Sequence, residues 1–120
     1  MKKTSIEKKQ SPVIDMELAT KLAGDKQEIA EELLALFLKN LPAEYSAIQF
    51  SAANQDYVTL AKQIHKLHGA ICYLGLPRLK DATAALEKNL KHNPKQDIQP
   101  LFDVFSAEIE RVLKFAKSNV

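Results

Sequence analysis

One stretch of this sequence combines residue types that can do chemistry with a spacing that gathers them: Lys62-Gln63-Ile64-His65-Lys66-Leu67-His68-Gly69. At about 3.6 residues per turn, Lys62, His65, Lys66, Gly69 and Tyr73 fall on one side of a helix. Ile64, Leu67, Ile71 and Leu74 fall on another. His65 therefore stands beside a core face and turns largely to solvent. A neutral imidazole nitrogen can attack phosphorus and carry a phosphoryl group covalently. Lys62 and Lys66 flank the ring and attract such a group electrostatically. Gly69 is the anomaly, because glycine inside a helix costs roughly 1 kcal/mol relative to alanine. One turn after His65, its missing side chain leaves space for another protein's active site to approach.

Each feature also has a plainer reading. A single helical histidine is commonly a surface residue, the lysines are ordinary solvated charges, and Gly69 can serve close helix packing. A metal site is a further alternative, since His65, His68 and Cys72 follow at spacings of 3 and 4. Structural zinc usually takes four ligands, the only other histidine is His92, and no CxxC or HExxH accompanies them. We therefore expect no metal on this chain, and Cys72 reads as a small apolar packing residue. Phosphoryl transfer needs in-line geometry and charge neutralisation, usually with Mg²⁺. The sequence holds no Gly-rich phosphate loop and no clustered carboxylates. The chain thus reads as a carrier without kinase activity of its own, its partner supplying the metal and most of the catalysis. A non-catalytic helical adaptor that binds a partner in a groove is the competing function.

The elements that must position His65 are all helical. Asp15 is a good N-cap for a short first helix with Leu18 and Leu22 on one face and Gly24 at its stop. This helix is expected to lie as a lid on the rest. A second helix begins near Asp25 with two apolar stripes, Ile29, Leu33, Leu36, Phe37 and Leu34, Leu38, Leu41, which predict a wide buried face. Pro42 interrupts it, yet the second stripe continues through Tyr45, Ile48 and Ala52, so a kinked or nearly continuous long helix is expected. The third helix spans about Asp56 to Leu74, with Leu60, Ile64, Leu67, Ile71 and Leu74 at spacings of 4, 3, 4 and 3. Gly75-Leu76-Pro77 stops it and opens the next, which carries Leu79, Ala82, Thr83, Leu86 and Leu90 and ends before Asn93-Pro94. The last helix starts near Asp97 and shows Ile98, Leu101, Phe102, Phe105, Ile109, Val112 and Ala116. Four amphipathic helices with short connections predict an all-α fold, an antiparallel four-helix bundle with a short additional N-terminal helix. Residues 1–12 read as a flexible tail or linker and 13–120 as the domain.

Composition narrows the function classes. With 120 residues, 46% of them hydrophobic and 27% charged, the chain supports one domain with one core. The net charge of +2 comes from 17 basic and 15 acidic residues, too even for a dedicated nucleic-acid binder. No apolar run reaches membrane-spanning length, and Met1 to Gln10 lacks the apolar stretch of a signal peptide. One cysteine forms no internal disulfide, so the cytoplasm is the default expectation.

The stretch His65-Lys66-Leu67-His68-Gly69, followed by Gly75-Leu76 and Leu79, resembles the histidine-containing phosphotransfer (HPt) family. That pattern is an acceptor histidine, an apolar residue two later, a basic residue three later and glycine four later. The wording, with the downstream Gly75-Leu76-Pro77-Arg78-Leu79, looks most like the C-terminal HPt modules of BarA/GacS-type hybrid sensor kinases. The resemblance extends from about Val13 to Ala116. It implies a phosphorelay intermediate that accepts a phosphoryl group from a receiver-domain aspartate on His65 and passes it to a response-regulator aspartate. It also implies Mg²⁺ on the receiver rather than on this chain, Lys66 and His68 near the phosphoryl group, and docking over Lys62, Gly69 and Tyr73. A monomer is expected, either cytoplasmic alone or as a module of a membrane-bound kinase. Many members carry lysine where His68 stands, so a charge that depends on pH, or a competing nucleophile, replaces a fixed cation. The family places a polar residue on the following helix to orient the acceptor ring, and the matching position is Glu87, which reads equally as a solvated surface charge.

Overall fold

The computed structural model describes residues 11–92 and 97–118. Among them are five helices: α1 (Met16–Leu22), α2 (Gln27–Ala53), α3 (Tyr57–Ile71), α4 (Pro77–His92) and α5 (Gln99–Ser118). Local chemistry sets most of the boundaries. The Asp15 carboxylate accepts the Leu18 N–H at 3.0 Å, and that of Asp56 accepts the Thr59 N–H at 3.2 Å. Asp97 accepts the Gln99 N–H at 3.0 Å. Gly24 and Gly75 both take positive φ, 71° and 70°, where a side chain would strain the backbone. Pro77 opens α4, and Pro100 sits in the first turn of α5, where a missing N–H breaks no helical bond.

α2 runs unbroken through Pro42 for 27 residues. The proline removes one bond of the ladder from an exposed face, and the buried row Leu34, Phe37, Leu41, Tyr45, Ile48 keeps its register on both sides. That row corrects the expectation of a wide buried face. Ile29, Leu33 and Leu36 are exposed, Leu36 at 59%. A helix with only two long neighbours, α3 and α5, buries one stripe and leaves the adjacent one in water. In α1 the small Ala19 is buried while Leu18 and Leu22 are exposed. The cause is contact distance, because α1 lies against the α3–α4 turn. The Asp15 N–H donates to the Gly75 carbonyl at 2.8 Å, and a Cβ at Gly75 would stand 2.4 Å from the Asp15 carbonyl oxygen. The expected lid is therefore present, seated through Ala19 and Gly75 rather than through leucines.

Leu41, Ile48, Leu60, Ile64, Ile71, Leu79, Leu86, Phe105 and Ile109 are fully buried where the four long helices meet. Each such side chain contributes about 1.5–3 kcal/mol of transfer free energy. α3 packs against α2 and α4, and α4 packs against α5, which closes on α2. The fold is the all-α bundle with a short N-terminal helix. α3 ends at Ile71, earlier than its apolar spacing suggested, and Leu74 is buried from the turn instead. The expected stop at Asn93-Pro94 and nearly all of the expected tail lie outside the described residues.

Candidate functional site

α3 divides its two faces as its spacing requires. Ile64, Leu67 and Ile71 are buried, whereas Lys62, His65, Lys66 and Gly69 are exposed, as is Tyr73 in the turn beyond the helix. The His65 side chain is 71% accessible on a helix pinned by four core residues, Leu60 among them, so the ring is open while its backbone is fixed. A Cβ built at Gly69 would meet nothing within 4 Å. The glycine therefore does not serve helix packing; it leaves clear space one turn from the imidazole.

Glu87 reaches the same place from α4. It is 7% exposed, among Thr83, Leu86 and Leu90 on the buried side of that helix. Its Oε2 lies 2.5 Å from His65 Nδ1 and its Oε1 lies 2.8 Å from His68 Nδ1. Lys91, one turn further along α4, brings its Nζ to 3.4 Å from Oε2. Burial pushes the Glu87 carboxyl up, but hydrogen bonds from His65, His68 and Lys91 outweigh it and hold the group below its ordinary value. A carboxylate only accepts, so each Nδ1 carries the hydrogen, and in the neutral form of either ring the lone pair is on Nε2. Neutral His65 thus offers that nitrogen toward solvent. His68 donates in the same way, but its side chain is only 26% accessible.

The sequence-derived site residues consequently come together in two groups. His65, His68 and Glu87 form one hydrogen-bonded cluster, and Glu87 is a buried structural partner rather than a solvated charge. Lys62, Lys66, Gly69 and Tyr73 line the open face around it. Lys66 and Tyr73 also border a groove of about 450 Å³ with Leu33, Leu36 and Glu44 of α2. Sequence reasoning missed Lys91, although its i,i+4 spacing from Glu87 was a usable signal. It also left His68 without a partner. Among the described residues no group of three or more His, Cys, Asp or Glu side chains is arranged to hold a metal. A groove of about 1050 Å³ between α2 and the end of α5 is lined by none of these site residues.

A solvent-facing imidazole, held by a buried carboxylate on the neighbouring helix of a four-helix bundle, defines a class of histidine-bearing signalling modules. The chain belongs to the Hpt domain family, whose model matches residues 32–115. It is similar to the sensor protein GacS of Pseudomonas syringae pv. syringae, 39% identical over 97 residues, which cover 81% of this chain and 11% of that protein. It is also similar to the signal transduction histidine-protein kinase BarA of Escherichia coli (strain K12), 29% identical over 104 residues, or 86% of this chain and 11% of that one. The crystal structure of the HPT domain from an Hpt sensor hybrid histidine kinase of Shewanella superposes with a TM-score of 0.80 at 28% identity, covering 88% of this chain and 92% of the other. The chain spans only 11% of the length of those curated relatives.

Proposed function

We propose that this domain is a phosphorelay intermediate: His65 takes a phosphoryl group from a receiver-domain aspartyl phosphate and passes it to a response-regulator aspartate. The observation that carries this reading is the His65–Glu87 hydrogen bond beside the empty space at Gly69. The lone pair of His65 Nε2 attacks phosphorus, the phosphorus–oxygen bond to the aspartate breaks, and the aspartate departs as a carboxylate. The proton on Nδ1 stays in place, so the phosphorylated ring is cationic and Glu87 faces its charge. Lys62 and Lys66 offset the charge of the incoming phosphoryl oxygens. Mg²⁺ on the receiver supplies the remaining neutralisation, and this chain acts as a carrier with no kinase activity of its own.

Docking over Lys62, Gly69 and Tyr73 is supported by the exposed Leu33, Leu36 and Tyr73 beside the site. Such an apolar patch with a charged rim suits a transient protein partner. No helix among the described residues is long and apolar enough to cross a membrane. A cytoplasmic monomer, free or as a module of a membrane-bound sensor kinase, fits the relay.

The test is incubation with a phosphorylated receiver and Mg²⁺, followed by mapping of the acid-labile label. The label is expected on His65, and His65→Gln should lose it while keeping the helical circular dichroism signal. Label retained by His65→Gln and lost from His68→Gln would overturn the site assignment. Gly69→Leu should slow transfer without lowering the unfolding midpoint.

A further inference from the structure

We propose that His68 is a positioning residue that acts on His65 through Glu87, and is not a ligand of the phosphoryl group. This rests on the relay reading above. Glu87 has two oxygens, and His68 occupies one of them at 2.8 Å while His65 occupies the other. The Nδ1 hydrogen of His68 is therefore spent on the carboxylate, and its side chain is 26% accessible where that of His65 is 71%. A buried carboxylate with one oxygen unpartnered would turn toward another donor. Lys91 is within reach, and such a turn would release His65 from its orientation. The second imidazole thus fixes the carboxylate that fixes the first.

As Nε2 of His65 bonds to phosphorus, its ring turns cationic and draws on Glu87, and the hydrogen bond from His68 keeps that carboxylate in place.

The experiment compares the wild-type chain with His68→Ala and His68→Gln, using a receiver charged with acetyl phosphate and Mg²⁺. Ring ¹⁵N shifts of His65 are recorded without phosphate. His68→Ala should slow transfer roughly tenfold at pH 8 through lost orientation. In the same variant the His65 ¹⁵N pattern should move from the Nδ1–H tautomer toward a mixture. His68→Gln supplies a donor to Glu87 in place of the imidazole. It should restore the tautomer, and the rate to within about threefold. Three results would overturn the proposal: label mapped to His68, a His65 ¹⁵N pattern unchanged in His68→Ala, or transfer in His68→Gln as slow as in His68→Ala. If the wild-type chain takes no label while the ¹⁵N pattern responds as described, the relay reading fails and the positioning role stands.

Discussion

Glu87 on α4 and Glu108 on α5 are two carboxylates with the same exposure, 7%; Glu87 holds His65 and His68 of α3 and Lys91 of its own helix, and Glu108 holds Arg78 of α4 and Arg111 of its own helix. Glu108 accepts from Arg111 at 2.7 Å and from Arg78 at 3.1 Å, both through Oε2, and its buried Oε1 has no hydrogen-bond partner. Glu87 divides its oxygens between His65 and His68 and leaves neither idle. Arginine stays charged at all accessible pH and keeps no lone pair for attack, so the Glu108 cluster can only tie α4 to α5. An imidazole that gives its Nδ1 hydrogen to a carboxylate retains a nucleophilic nitrogen. Equal burial therefore builds a brace in one place and a reactive group in the other, and the partners' acid–base chemistry decides which.

The comparison is broken most directly in phosphotransfer. Glu87→Ala should slow labelling by a phosphorylated receiver roughly 10- to 100-fold, because the acceptor ring loses its tautomer and its orientation. Glu108→Ala should leave the same time course within about twofold. The order reverses in urea unfolding. Glu108→Ala should cost about 1 kcal/mol, well below the figure for a fully buried pair, since Arg78 and Arg111 are 30% and 50% accessible and can turn to water. Gly69→Ala should stabilise the domain by about 0.5 kcal/mol, because the methyl group enters open space and alanine favours helix. The smallest effect is on the acid limb of stability. Hydrogen bonds hold the Glu87 carboxyl below its unfolded value, so its contribution is fully present above the ordinary carboxyl range, about pH 4.3, and is lost as pH falls through the folded value. The urea midpoint of Glu87→Gln should accordingly vary less between pH 5 and pH 3 than that of the wild type.

Much of this molecule was legible in the order of its residues. The 4, 3, 4, 3 spacing from Leu60 to Leu74, the caps at Asp15 and Asp56, and the Gly75-Leu76-Pro77 break are local signals, because helix period, capping and backbone freedom depend on near neighbours. They placed the long helices and put His65, Lys66 and Gly69 on one open face. What depends on distant residues was not legible. Two equally apolar stripes on α2 gave no sign of which would be covered, since that depends on where α3 and α5 lie. α1 was expected to lie as a lid with Leu18 and Leu22 on one face, and the close approach of Gly75 seats it through Ala19. Glu87 was a plausible partner of His65 by position alone. Its burial and its second bond to His68 arise only when α4 lies against α3, as does the convergence of Lys91 on the pair. Near neighbours in the chain thus suffice to set the helices and the reactive face. That one buried carboxylate answers to two imidazoles follows only from packing, because a side chain's hydrogen bonds are settled by what the neighbouring helix brings within about 3 Å.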